Sequence, residues 1–254
     1  MVKKAFNTVY TMWLREMLRF WRSKSRIIGA LATPLFFLVI LGAGFSSSFQ
    51  LRGGGTFNTS YLAPGLIGMA VLFTSLMGGV SIIWDREFGF LKEILIAPVS
   101  RFFVALGKAV GGVTTAMIQG VLIMIIAWLI GVGYVSILGV LASIVIMFIS
   151  GIGFIGLGIA LASKIDSHEG FQMVTSFLTF PLVLLSGAFF PISNLPTWLL
   201  VFVYANPLTY GVEAIRWCLL GNSAIPISLC IIVLLLFAFA MIALGGKLFG
   251  KMRV

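Results

Sequence analysis

Charge is what this chain has least of. Asp, Glu, Lys and Arg make up 9% of its 254 residues, against roughly 25% in an average soluble domain. The charges also avoid the apolar stretches. Between Ile27 and Trp84 the only charged residue is Arg52, from Ala109 to Ser163 there is none, and after Arg216 the next is Lys247. A charge at the middle of a membrane helix costs about 2.5–3.5 kcal/mol on insertion scales. Runs of this length therefore indicate a bilayer as solvent, in keeping with 60% hydrophobic residues and a mean hydropathy of +1.15.

Other absences remove whole classes of chemistry. One histidine, His168, excludes the paired-histidine zinc motif. Two cysteines, Cys218 and Cys230, sit in apolar surroundings and suggest neither a disulfide framework nor a metal site. No Gly-Lys is followed by Ser or Thr, which excludes a phosphate-binding P-loop. The Ser-Gly pairs at 150–151 and 186–187 lack the preceding glycine of a nucleophile turn. Proton or sodium coupling commonly needs carboxylates at membrane depth. Of the seven acids, Glu16, Asp85, Glu87, Glu93, Asp166 and Glu169 are expected on the cytoplasmic side, and only Glu213 is expected to be external or re-entrant. The chain carries no catalytic or cofactor-binding set of its own, so energy for any work must come from another subunit.

The apolar runs predict an all-α, polytopic membrane protein of one domain, 1–254, with six transmembrane helices near 27–45, 62–84, 108–130, 136–162, 171–189 and 225–246. Ahead of them, residues 3–26 predict an amphipathic interfacial helix. Phe6, Val9, Trp13, Met17 and Phe20 recur at helical spacing, with Arg15, Arg19, Arg22 and Arg26 opposite. The length of this polar and amphipathic stretch predicts that it is not a cleavable signal peptide. Residues 131–134 predict a tight turn. Pro196 and Pro207, each near a capping residue, predict the starts of two short helices within 191–222.

With the N-terminus inside, fifteen of the seventeen Lys and Arg residues fall on one side and only Arg52 and Arg216 on the other. Basic residues collect on the cytoplasmic side of membrane proteins, so both termini are expected in the cytoplasm. The net charge of +10 then faces anionic lipid and cytoplasmic partners, not nucleic acid.

The most charged interior segment, 85–101, mixes acids and bases with Phe88, Phe90, Leu91, Ile94 and Leu95. A plain loop needs none of those apolar residues. A short amphipathic helix ending before Pro98 suits either the membrane face alone or a partner's groove.

Two stretches carry a family resemblance. Arg86-Glu87-Phe88-Gly89-Phe90-Leu91-Lys92-Glu93, running on to Pro98-Val99-Ser100-Arg101, resembles the segment after the second span in type-2 ABC exporter permeases. There the pattern reads Arg-Glu-x-Gly-Thr-Leu-Glu and closes on Pro-x-Ser-Arg. Here Phe90 stands for the usual Thr, and Glu93 falls one position late. Leu185 to Pro196, then Tyr204 to Arg216 with Asn206-Pro207-Leu208-Thr209-Tyr210, is similar to that family's proline-started external helices. The resemblance spans the chain and lies nearest the daunorubicin-resistance and nodulation-factor exporter permeases.

The resemblance implies two permease copies in the plasma (inner) membrane, each paired with a separate ABC ATPase subunit that binds the ATP and Mg. It implies an exporter of a lipophilic or amphiphilic substrate. The alternatives are a lipid or lipid-linked saccharide exporter of the same family, or a passive oligomeric channel. Asp85, Arg86, Glu87 and Glu93 would make polar contact with the ATPase, and Phe90 an apolar plug, with Gly89, Leu91 and Arg101 in the same coupling segment. Thr114, Thr115 and Gln119, polar at membrane depth, either line a substrate path or hydrogen-bond a neighbouring helix. Pro191, Asn206, Pro207, Tyr210 and Glu213 would belong to short re-entrant helices forming an external lid or gate. Ser150, Gly153 and Gly158, with Gly151 and Gly156, either pack within the chain or form a dimer seam.

Overall fold

The computed structural model describes residues 2–24, 28–29, 32–40, 59–89 and 100–252. Their regular structure is helical, with no strand among the described residues, in nine labelled helices: α1 (Val2–Arg22), α2 (Thr59–Gly78), α3 (Val80–Glu87), α4 (Arg101–Leu129), α5 (Ile137–Ala162), α6 (His168–Leu184), α7 (Thr197–Ala205), α8 (Pro207–Leu220) and α9 (Ile227–Gly250). A further helical stretch covers 32–40, within the expected first span. Apart from 28–29, the remainder of that span lies outside the described residues, as do Arg52 and Arg26.

Among the described residues, four helical stretches are long and apolar enough to cross a membrane: Ser60–Glu87, Arg101–Leu129, Ile137–Ala162 and Ile227–Gly250. The pair α7 and α8 would make a fifth if counted as one span, but it bends by 87° at Asn206. At 17 residues and about 1.5 Å per residue, α6 is shorter than the hydrocarbon core it would have to cross.

Helix ends obey local chemistry. Ser136 and Ser167 cap α5 and α6 by accepting from Gly139 N at 3.0 Å and Gly170 N at 3.1 Å. Asn206 caps α8, its Oδ1 accepting from Leu208 N at 2.9 Å, with Pro207 in the first helical turn as expected. Pro196 differs: it occupies the cap position itself, so α7 starts one residue later. The predicted turn at 131–134 is present, with Gly131 at φ +105°. Tyr134 closes it by donating to the Met124 carbonyl at 2.5 Å. Burial pushes the Tyr134 hydroxyl up to about 12, so it stays protonated and a donor.

The centre of the bundle is α5, packed between α9 and α2 and also against α4 and α8. Glycines permit the approach. A Cβ on Gly156 would lie 2.6 Å from the Met241 backbone, and one on Gly158 would lie 2.6 Å from the Leu76 carbonyl. Gly153 faces Ala238 and Phe237. The glycines weighed as a seam between two copies are thus occupied by contacts inside the chain.

The first helix departs from expectation. Met17 and Phe20 are buried, Trp13 is half-buried, and Arg15 and Arg19 turn toward the protein. The exposed apolar stripe is instead Phe6, Tyr10, Leu14, Leu18 and Trp21, at a spacing close to i, i+4. The cause is α4, on which α1 packs: Gly107 and Gly111 make room for the Met12 and Glu16 side chains. That contact rotates the face expected to meet lipid into the protein.

Gly156→Val or Gly158→Val should therefore lower stability by about 1–3 kcal/mol through overpacking. Gly133→Ala, where an added Cβ meets nothing within 4 Å, should leave it nearly unchanged. Thermal unfolding of the detergent-purified protein would check the contrast.

Candidate functional site: a buried ionic junction at the charged end of the bundle

Asp85 lies on the last turn of α3, four residues after Ser81, so the two share a face. That face meets α4 at Lys108 and α1 at Arg15 and Arg19. Lys108 Nζ forms an ion pair with Asp85 Oδ2 and donates to Ser81 Oγ at 3.2 Å. Arg15 brings both terminal nitrogens to the carboxylate, Nη2 to Oδ1 and Nη1 to Oδ2 at 3.3 Å. Arg19 Nη2 stands 3.5 Å from Oδ1, and its Nη1 lies 3.5 Å from Glu16 Oε1. Asp85 is 1% exposed and Lys108 2%. Three helices that are distant in sequence thus converge on one carboxylate.

Taking such ions out of water costs several kcal/mol each. The arrangement holds because Asp85 has three cationic partners and Lys108 has both a carboxylate and a hydroxyl. Around this core the same end is tied further. Arg86 donates to Asp166 Oδ1 at 2.7 Å and to the Ala162 and Ile165 carbonyls, fixing α3 to the turn between α5 and α6. Arg101 Nη1 donates to the Gly250 carbonyl at 3.0 Å and the Met252 carbonyl at 3.3 Å, fixing the start of α4 to the end of α9. Trp84 stacks on His168 with ring centroids 5.8 Å apart, and the Arg19 guanidinium sits 5.9 Å from the Trp84 centroid.

The coupling residues expected from the sequence therefore divide. Asp85 does not face outward as a partner contact; it is consumed by pairing inside the chain. Arg86 and Arg101 are chain-internal staples in the same sense. Glu87 and Gly89 are the exposed ones, Gly89 at φ +77° beyond the α3 cap, and Phe88 between them, not among the expected contacts, is 73% exposed. Phe90, Leu91 and Glu93 lie outside the described residues.

The three polar residues of α4 also divide. Trp13 Nε1 donates to Thr114 Oγ1 at 3.1 Å, and Thr114 in turn donates to the Val110 carbonyl. Thr115 donates to the Gly112 carbonyl at 2.7 Å. Both threonines serve helix contacts. Gln119 accepts from the Thr74 hydroxyl, and that pair faces a cavity of about 410 Å³. Phe73, Met77, Trp84 and His168 help to line it, together with Thr33 and Pro34 of the 32–40 stretch. A second cavity of about 460 Å³ shares Thr33, Met69 and Phe73 with it and is otherwise bounded by Phe37, Phe180, Phe189 and Phe190.

At the opposite end the residues expected in an external gate are knitted together. Glu213 and Arg216, 1% and 3% exposed, form an ion pair on α8. Arg216 Nη2 also donates to the Gly187 carbonyl at 2.8 Å, and its guanidinium lies 4.1 Å from the Tyr61 ring centroid. Glu213 Oε2 accepts from Ala224 N at 2.6 Å. Tyr61 donates to the same Gly187 carbonyl at 3.1 Å. Asn206 Nδ2 donates to the Leu182 carbonyl at 2.7 Å, and Tyr210 to the Tyr204 carbonyl at 2.8 Å. Pro191 precedes the single turn Ile192–Asn194.

Sequence reasoning missed Arg15, Lys108, Ser81 and Tyr61 as parts of these clusters. The i, i+4 pair Ser81/Asp85 and the lone Lys108 within an apolar helix were the available signals. Among the described residues, no three His, Cys, Asp or Glu side chains group as a metal site.

Apolar helices long enough to span, a charged end sewn together by Asp85, and a cavity among the helices define a multi-pass membrane protein. The chain belongs to the ABC-2 type transporter family, whose pattern it matches over residues 7–220. It is 28% identical to the "Putative transport permease ycf38" of Cyanophora paradoxa over 211 residues, covering 82% of this chain and 73% of the relative. It is 25% identical to "Nodulation protein J" of Rhizobium leguminosarum bv. trifolii over 246 residues, 93% of this chain and 92% of that one. A third relative, the "Probable multidrug ABC transporter permease YbhR" of Escherichia coli (strain K12), is 22% identical over 66% of this chain and 45% of its own length.

Removing Asp85 strands Lys108. Asp85→Asn should cost about 3–5 kcal/mol, because a buried cation loses its partner. The double variant Asp85→Asn/Lys108→Met should be the less damaged of the two. Unfolding of the single and double variants in the same detergent measures that coupling.

Proposed function

We propose that this chain is the permease subunit of an ATP-binding-cassette exporter, working as a pair with a separate ATPase subunit on each copy. In this reading the chain spans the plasma (inner) membrane six times, with both termini in the cytoplasm. The 32–40 stretch belongs to the first crossing and α6 to the fifth. The bent α7–α8 pair dips in from the outer face without crossing, with α8 tied through Arg216 to the Gly187 carbonyl and the Tyr61 ring.

The observation that carries the reading is the junction at Asp85. It binds α1, α3 and α4 into one unit, tying together the two helices that the 85–101 segment joins in sequence. A push on that segment by an ATPase would move the three helices together instead of bending one, as a subunit-interface element must in order to transmit a small shift. Glu87 and Phe88 are exposed, described residues that present themselves for such contact. The partner ATPase supplies ATP and Mg chemistry.

The two adjoining cavities are suited to a lipophilic or amphiphilic substrate. Their walls are apolar apart from a small polar group led by Gln119 and Thr74, a pattern typical of pockets for small apolar ligands. A saccharide would need many more polar partners than these walls offer, which favours the lipophilic alternative.

The test is reconstitution. The chain, co-expressed with candidate ABC ATPases of its source, should capture one of them and move a fluorescent amphiphile across vesicle membranes only when ATP is present. Glu87→Lys and Phe88→Asp should each reduce ATPase capture by more than about tenfold, the scale of losing one interface anchor, with unchanged thermal unfolding. Full transport by the chain alone without nucleotide would refute the reading.

A further inference from the structure

Gln119, on the second half of α4, is 1% exposed and lies in the wall of the cavity of about 410 Å³. Its Oε1 accepts from the Thr74 hydroxyl of α2. Its amide nitrogen has no hydrogen-bond partner among the described residues, and it is not sealed off from the cavity. We infer that Gln119 selects the substrate: the cavity takes a neutral, largely apolar molecule carrying an acceptor oxygen, such as that of a ketone, ester or ether, which the Gln119 amide binds. This rests on the proposed reading of the cavities as the substrate's place, and names the chemistry admitted there.

A primary amide has one acceptor end and one donor end. Thr74 occupies the acceptor end, so what remains for an occupant is N–H. A donor held in an apolar wall is costly to leave unpaired, and an acceptor oxygen on the occupant removes that cost. A pure hydrocarbon leaves it in place, and a group that only donates finds no partner there. Thr74 is in this respect a positioning residue, acting through Gln119.

Neutrality follows from the walls. None of the described residues lining either cavity is Asp, Glu, Lys or Arg. A full charge would enter without a counterion, which is far more costly than burying a hydrogen-bonded dipole. The polar side chains near α6 are already engaged: His168 and Gln172 hydrogen-bond each other at 2.9 Å, and His168 stacks on Trp84. The second cavity offers the faces and edges of Phe37, Phe73, Phe180, Phe189 and Phe190. These suit a ring or chain body. Thr33, Met69 and Phe73 border both spaces, so one molecule can place its oxygen at Gln119 and its body among the phenylalanines.

The test uses two probes of nearly equal shape, acetylpyrene, a ketone, and ethylpyrene, its hydrocarbon counterpart. Each is titrated into the detergent-purified full chain, with energy transfer from tryptophan to pyrene as the binding signal. The wild type should hold the ketone about fivefold more tightly than the hydrocarbon, the scale of one net hydrogen bond. Isotope-edited infrared spectra should show the bound carbonyl stretch lowered by hydrogen bonding. Gln119→Met should remove both the preference and the infrared shift while ethylpyrene still binds. Thr74→Val should weaken the preference, and Thr74→Ser should restore it. Thr115→Val, which removes a hydroxyl of α4 bonded to the Gly112 carbonyl and outside the cavity walls, should leave the preference intact.

Equal binding of the two probes by the wild type, or a ketone preference that survives Gln119→Met, would overturn the inference while leaving the cavities as an apolar substrate path. Loss of the preference in Thr115→Val as well would overturn it too, as a general effect of altering α4. The wild-type comparison needs no variant, so a misfolded Gln119→Met does not shelter the inference. Absence of binding by either probe would overturn both the inference and the reading of the cavities on which it rests.

Discussion

One carboxylate, with almost no access to water, holds the charged end of this protein together. The Asp85 side chain is 1% exposed and draws on cations from two other helices. Ions in that position are tolerated only when every partner stays in place, so the helices that supply them cannot separate independently. The geometry makes α1, α3 and α4 a single mechanical part, although 70 residues of sequence separate Arg15 from Asp85. Around it, Arg86 and Arg101 reach backbone carbonyls at the ends of α5 and α9, extending the same rigidity across the face.

The opposite end uses a similar device with other residues. Glu213 and Arg216 are paired and buried, and the carbonyl of Gly187 accepts from both Arg216 and Tyr61. The bent pair α7–α8 is thereby fastened to the start of α2 and to the turn after α6. Between these two polar ends the interior is apolar, apart from groups such as the Thr74–Gln119 hydrogen bond at a cavity wall. Polar order at both ends with an apolar middle suits a chain that works across a bilayer.

Much of the architecture was legible in the sequence because the bilayer imposes a coarse, one-dimensional code. Charge-free runs located α5 and α9 closely, whereas α4 begins at Arg101, well before the expected 108, and the expected 62–84 span divides into α2 and α3; Asn206-Pro207 marked the start of α8. The site was less legible, because which way a charged side chain turns depends on what packs beside it. The arginines of α1 read as a solvent face until Gly107 and Gly111 on α4 are seen to bring that helix close. Asp85 read as a surface contact for the same reason: its partners Arg15 and Lys108 sit in other helices, and no local pattern links them. Phe88, conversely, was one apolar residue among several in the segment, and its place at the C-cap of α3 leaves it exposed.

The glycines of α5 have a mechanical meaning. Where Gly156 and Gly158 meet Met241 and Leu76, main chain rests on main chain, with no side chain between them to change rotamer. Spacing fixed this way cannot relax by small local adjustments; it is kept or it is lost as a whole. By contrast α6, which touches α2 and α3 only sparsely and leaves Met173, Phe177 and Phe180 uncovered, meets its neighbours through pliable side chains. Compliance in this bundle is therefore lopsided: a stiff spine of α2, α5 and α9, and a yielding flank beside the cavities.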